Sequence, residues 1–447
     1  MSVSPARAAA FHILLRVEQE DAYASELLHS ERCAGLTAVD QALTTELVMG
    51  VLRWRSALDD AIASVSSQNL VRLDREVLTS LRLGAYQLGW LDRVPARAAI
   101  HESVELVKSA RKRSAAPFAN AILRKIAGNP RTQNDLQPLL AAADPEALAK
   151  TSAHPLWLVE RWIGQFGVEI TARICAFNQA HPVTAIRLRD PKAEDEFRDE
   201  GIEIAPGSFL ANARRVISAD ITKSKQYVDG RIAIQDEASQ LVAALVGRGS
   251  RILDCCAAPG GKTWAIADRN PDATIVAVEL HARRAQVLRK RVRASNVEVV
   301  NADIRQIPVG DGFDRVLADV PCSGTGTIAR NPEIKWRLRL EDLTDLRARQ
   351  LAILQAAAKH LVPGGTLVYS TCSLEQEEDE SVIEEFLQEH ASLRPLDIRS
   401  ELEQLRRAGE LASILSTETL VKGSYLRTIP GVQPSDGFFV AMLKRET

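Results

Sequence analysis

Two cysteines in this chain stand where a thiol could act as a nucleophile. Cys322 lies in Asp319-Val320-Pro321-Cys322-Ser323-Gly324-Thr325-Gly326 and Cys372 in Tyr369-Ser370-Thr371-Cys372-Ser373, each after a short apolar run that reads as a strand. A buried cysteine usually behaves as an inert small hydrophobe, and Cys33, Cys175 and Cys255 are expected to do so. Cys322 and Cys372 differ because both end strands in polar, turn-forming loops. A thiolate can add to an electron-poor carbon; addition to carbon 6 of a cytosine makes carbon 5 enamine-like, so that it can attack a methyl donor. A free thiol is only a few per cent ionised at neutral pH, so such a site must raise that fraction. Asp319, just before Cys322, is placed to hold or protonate a ring nitrogen as charge builds there.

A third segment, Leu253-Asp254-Cys255-Cys256-Ala257-Ala258-Pro259-Gly260-Gly261-Lys262-Thr263, lies between a strand and a helix. Its small residues and paired glycines let a ligand approach the backbone, and in doubly wound sheets ligands bind at the carboxyl ends of strands. Gly-Lys-Thr also ends the Walker phosphate loop, but that loop needs a glycine where Cys256 stands, which argues against nucleotide hydrolysis. Glu279 ends the next strand, near the spacing at which a carboxylate takes ribose hydroxyls, and Asp303 ends the third, where it could meet an adenine amino group. Either acid alone could be a helix cap or a solvated carboxylate. Together with the loop they mark successive strand ends.

The elements that must position these residues follow from periodicity. Apolar runs at Ile252-Leu253, 274–278, 297–300, 315–317, 366–369 and 438–443 alternate with helical stretches at 282–294, 343–361 and 377–387, which predicts an α/β fold with a mostly parallel sheet. From Ser4 to Gly128 the spacing is helical throughout, which predicts an all-α bundle. Gly128-Asn129-Pro130 and Asp144-Pro145 are breakers and predict a linker around a short helix. Residues 146–230 mix an amphipathic helix over 156–166 with a strand over 184–189, which predicts a small mixed domain.

The length of 447 residues asks for two or three domains, and 46% apolar residues supply their cores. Six scattered cysteines without C-x-x-C spacing suggest neither disulfides nor a zinc site, and no span or leader is evident, so a cytoplasmic protein is expected. The net charge of −2 confines any nucleic-acid binding to local patches. Arg111, Lys112 and Arg113 with Arg124 and Lys125 form the better candidate for phosphate contact. Arg283, Arg284, Lys290 and Arg291 read more simply as a solvated helix face.

The motif from Asp254 to Thr263, Pro321-Cys322-Ser323-Gly324-Thr325-Gly326, Ser370-Thr371-Cys372-Ser373, Asp436-Gly437-Phe438-Phe439 and the earlier Gln235-Asp236-Glu237-Ala238-Ser239-Gln240 occur in order. Together they resemble the Nop/Sun family of RNA 5-methylcytosine methyltransferases, and residues 1–130 resemble the NusB-like helical RNA-binding domain. The resemblance implies a Rossmann-like class I methyltransferase domain over 231–447, preceded by the helical domain and a small mixed α/β RNA-binding subdomain over 146–230. It implies S-adenosyl-L-methionine as cofactor and RNA as partner, specifically small-subunit (16S) ribosomal RNA, with no metal, no membrane and a monomeric enzyme. By the same resemblance Cys372 is the nucleophile, Cys322 assists product release, and Asp319 touches the cofactor and supports the base. Cys256, Ala257, Ala258, Pro259, Gly260, Gly261, Lys262, Glu279 and Asp303 match cofactor-binding positions. Glu279 replaces the family's Asp, and Asp379 its Asn between two glutamates. The acidic run 375–380 is otherwise expected to be a solvated helix start.

Two readings compete. An RNA-binding assembly or antitermination factor could use the same fold as a scaffold, but it would not need both cysteines and Asp319. A nicotinamide-dependent dehydrogenase shares the sheet topology, but not this glycine pattern or the paired cysteines.

Overall fold

The computed structural model describes residues 3–20, 22–129, 144–217, 220–306, 312–413 and 415–447. The chain divides into two compact units, one formed by 1–181 with 328–337 and the other by 182–327 with 338–447. This division differs from the expected boundaries, because it falls inside the 146–230 stretch and assigns its helical half to the first unit.

The first unit is helical, with helices at Pro5–Gln19, Ala38–Arg53, Arg55–Val65, Arg75–Trp90, Ala96–Ser109 and Ala116–Gly128. Apolar residues at helical spacing turn inward, so Leu47, Leu58, Ile62 and Leu81 are fully buried, each contributing about 1.5 to 3 kcal/mol. Thr37 starts the second of these helices by accepting the Asp40 N–H, satisfying a donor that the helix itself leaves unpaired. Pro145–Thr151, Leu156–Phe166 and Val168–Gln179 belong to the same unit. Segment 328–337 is anchored there: Lys335, 1% exposed, donates to the carbonyls of Arg53 and Ala153, and Trp336 donates to Leu52. The short helix expected within 128–145 falls outside the described residues.

The second unit holds two sheets. The smaller has strands β1 (Thr184–Leu188), β2 (Ile204–Pro206), β3 (Ala213–Val216) and β4 (Ile232–Ile234) in the antiparallel order β2-β3-β1-β4. The larger contains β5 (Arg251–Asp254), β6 (Thr274–Glu279), β7 (Val297–Asn301), β8 (Phe313–Asp319), β9 (Leu361–Thr371), β10 (Leu393–Pro395), β11 (Val421–Lys422), β12 (Tyr425–Thr428) and β13 (Phe438–Arg445). Its path is β11-β12-β13-β9-β8-β5-β6-β7, with β10 on β13. The run β9-β8-β5-β6-β7 is parallel and β13 joins it antiparallel, as the alternation of strands and helices predicts. Strand order reverses at β5, and the crevice beside it is where such sheets take ligands. No helix among the described residues is long and apolar enough to cross a membrane.

Candidate active site

Every sequence-selected site residue of the second unit lies at the carboxyl edge of the parallel strands. Asp254 ends β5, Glu279 ends β6, Asp303 follows β7, Asp319 ends β8 and Cys372 follows β9. The loop between β5 and the helix Gly261–Arg269 turns at Gly260, whose φ of 105° suits only glycine. Ala257 and Ala258 are buried, Pro259 is exposed, and Cys256 is half-buried. Thr263 ties the helix to the strand by donating to Asp254 Oδ2 at 2.7 Å. Burial pushes the Asp254 carboxyl up to about 7, and its Oδ1 has no protein partner.

Across the crevice, Lys262 Nζ donates to Asp319 Oδ2 at 2.7 Å, and Ser370 Oγ donates to Asp319 Oδ1 at 2.7 Å. Burial works against the Lys262 charge, but the Asp319 carboxylate outweighs it and holds the ammonium above its ordinary value. The Phe438 ring lies 4.9 Å from Nζ and gives it a further, weaker partner.

The two thiols meet. Cys322 Sγ and Cys372 Sγ are 3.3 Å apart, and Cys322 Sγ accepts the Cys372 N–H at 3.3 Å. The contact with Cys372, followed by burial, pushes the Cys322 thiol well above its ordinary value. The loops carrying them are braced from behind: Gly326 N–H donates to the Cys372 carbonyl, and Gly437 N–H to the Gly326 carbonyl. A Cβ at Gly326 would stand 2.2 Å from the Gly437 carbonyl oxygen, so the two motifs approach backbone to backbone. By contrast Cys33, Cys175 and Cys255 are buried, and burial raises all three thiols, that of Cys175 to about 12.

Three expectations change. The acidic run is not solvated: Glu375, Glu378 and Asp379 are fully buried, because the turn Gln376–Glu378 folds beneath the cysteine loops before the helix Glu380–Glu389 begins. Asp379 accepts from Thr371 Oγ1 at 2.5 Å and pairs with Arg427 at 2.9 Å, so the acid in place of Asn has definite partners. Arg284 does not belong to a purely solvated face, since it donates to the Ala258 carbonyl at 2.9 Å. Glu378, expected only as part of a solvated run, is a buried acceptor; the serines after both cysteines, each needing such an acceptor, are the signal that points to it.

Glu279 is buried, with Oε1 accepting the His281 N–H. Asp303 is bound by the Arg305 guanidinium through both carboxylate oxygens. In the first unit Arg111, Arg113, Arg124 and Lys125 are exposed, whereas Lys112 pairs with Asp74 at 3.1 Å. Among the described residues no group of three potential metal ligands forms.

The 16S rRNA methyltransferase RsmB/F family matches residues 244–444 and the NusB family residues 4–128. The probable ribosomal RNA small subunit methyltransferase B of Bacillus subtilis is 31% identical over the whole of both chains. The chain belongs to the ribosomal RNA small subunit methyltransferase B family. The Pseudomonas syringae family protein is 34% identical over 82% of this chain and 83% of its own. In fold, the crystal structure of PH0851 matches 100% of both chains at a TM-score of 0.79 and 23% identity. NSun6 from Pyrococcus horikoshii with SFG matches 64% of this chain and 97% of its own at 0.55 and 20%.

As a member of this family the chain is an S-adenosylmethionine-dependent RNA methyltransferase. The crevice residues fit that cofactor: Asp254 offers a buried oxygen without a protein partner, and Glu279 presents a buried carboxylate at the next strand end.

Proposed function

We propose that this methyltransferase forms 5-methylcytosine in small-subunit ribosomal RNA through a covalent thiol adduct, acting as a cytoplasmic monomer. The observation that carries this reading is the 3.3 Å approach of Cys322 and Cys372 beside the Lys262–Asp319 pair. Loop residues Cys256 to Lys262, with Glu279, Asp303 and Asp319, would hold S-adenosylmethionine. When bound, it supplies the methyl group.

Cys372 forms the bond to carbon 6 of the cytosine, pushing electron density toward carbon 5 and ring nitrogen 3. As charge develops, ring nitrogen 3 takes a proton from solvent and the Asp319 carboxylate accepts a hydrogen bond from that N–H, its bonds from Lys262 and Ser370 fixing its direction. After methylation a solvent water takes the carbon 5 proton, the electron pair of that C–H bond re-forms the 5,6 double bond, and the carbon 6 to Cys372 bond breaks with Cys372 leaving as thiolate; Cys322 assists that release. The exposed Arg111, Arg113, Arg124 and Lys125 of the NusB-matching domain, with Lys112, would contact RNA phosphates; residues 146–230 would also bind RNA.

Bisulfite sequencing of small-subunit ribosomal RNA from a deletion strain tests the reading. A single protected cytosine should become convertible, and wild-type protein but not Cys372→Ala should restore its protection. An unchanged protection pattern in the deletion strain would reject it.

A further inference from the structure

The residue that ties the two cysteine loops together is Glu378. Its carboxylate lies fully buried beneath them and takes donors from both sides. On the Cys322 side, Oε1 accepts the Ser323 N–H at 2.8 Å, and the Ser323 hydroxyl reaches Oε2. On the Cys372 side, Ser373 Oγ donates to Oε2 at 2.6 Å. Gln350 Nε2, from the helix Asp342–Lys359, donates to Oε1 at 2.8 Å and also to the Pro321 carbonyl at 3.0 Å. One carboxylate thus holds the residue after each thiol.

The clamp is electrically lopsided. The peptide joining Cys322 to Ser323 is bonded directly to the carboxylate, whereas on the Cys372 side only the Ser373 hydroxyl reaches it. Bonded to the peptide after Cys322, the Glu378 charge disfavours a thiolate there and outweighs the single Cys372 N–H that Cys322 Sγ accepts, while the Lys262 ammonium, held by Asp319, favours negative charge at Cys372. The other titratable groups around the pair are Asp319, which neutralises part of the Lys262 charge, and Tyr369, whose hydroxyl donates to the Glu378 carbonyl at 2.6 Å. Two thiols in contact cannot both ionise readily, so the local field decides which one keeps its proton.

We propose that Glu378 is a positioning residue that clamps both cysteine loops and, opposed by Lys262, leaves the proton on Cys322 and the negative charge on Cys372. One proton goes to solvent when Cys372 ionises, and the other stays on Cys322 as a donor to the neighbouring sulfur. The division of labour between the thiols then has a cause outside the thiols themselves. The inference rests on the covalent mechanism proposed above for its catalytic meaning, but not for its test.

The test is alkylation of the RNA-free, full-length protein by iodoacetamide, with labelling of Cys372 and Cys322 read separately by peptide mass spectrometry. Wild type should label Cys372 at least tenfold faster than Cys322. Glu378→Gln keeps the volume and removes the charge, and should reduce that ratio at least fivefold with S-adenosylmethionine affinity unchanged. Glu378→Asp, which restores the charge, should recover part of the ratio. Should Glu378→Gln not fold, Lys262→Met removes the opposite pole and should lower the ratio in the same direction. An unchanged ratio in the folded variants overturns the proposal. If the ratio shifts but wild-type protein forms no adduct with RNA, the clamp stands and the covalent mechanism falls.

Discussion

Cys322 Sγ lies 3.3 Å from Cys372 Sγ and accepts the Cys372 N–H at the same distance. The two sulfurs therefore share one small volume, and removing either should stop the reaction at a different stage. Cys372→Ala should abolish both methyl transfer and any covalent RNA adduct. Cys322→Ala should still transfer a methyl group but accumulate a protein–RNA adduct that survives a denaturing gel. The double variant should form none. An adduct with Cys372→Ala and none with Cys322→Ala would reverse the assigned roles.

Asp254 should make stability depend on pH in the unliganded protein. Its carboxyl titrates at about 7 in the fold against 3.8 when unfolded. Between those values the unfolded chain gives up its proton first, so this contribution is fully present below 3.8, falls as pH rises, and levels off above 7. Asp254→Asn should remove up to about 4 kcal/mol of that slope. Denaturation midpoints of the two proteins should therefore diverge from pH 4 to pH 7, with the variant gaining; parallel curves would show that Asp254 is charged without penalty.

Lys335 should behave in the opposite sense. Burial pushes its ammonium well below the ordinary 10.5, with Arg53 adding repulsion. Its contribution is present above 10.5 and is lost as pH falls toward the folded value. Lys335→Met should therefore compare best with wild type near pH 7 and lose ground as pH rises to 10, read from urea midpoints. A difference independent of pH would mean that the buried lysine stays charged at no cost.

The basic cluster should show itself through salt. Arg111 and Arg113 are exposed, while Lys112 is engaged with Asp74. Reversing both arginines to glutamate should weaken RNA binding and reduce the log–log salt slope by roughly 1 to 2, whereas Lys112→Glu should change it less. Equal slopes for wild type and the double variant would assign these arginines to plain surface.

The sequence revealed the strand ends because chemistry and turns coincide there: Gly260 needs its positive φ, Cys322 and Cys372 stop their strands in polar loops, and Asp254, Glu279 and Asp319 close others. What stayed hidden was pairing at a distance. An acidic run such as Glu375 to Glu380 looks solvated until the donors that cover it are known, and those come from Ser323, Gln350, Thr371 and Arg427, up to 55 positions away. Arg284 looks solvated for the same reason, as its partner is the distant Ala258 carbonyl. Helical spacing shows which residues turn inward; it does not show that 328–337 joins the helical unit, because that depends on carbonyls at Arg53 and Ala153.

That last feature limits how the gene can be cut or recombined. A fragment starting at residue 231 would keep Ile328, Ile334, Lys335 and Trp336 but lose the carbonyls of Leu52, Arg53 and Ala153 that receive the last two. It would carry a buried amine and apolar side chains with nowhere to go, so it should be poorly soluble even with its catalytic motifs complete. Exchange of the amino-terminal helical region between relatives should succeed only when 328–337 travels with it, making two stretches of sequence nearly 150 residues apart a single unit of inheritance.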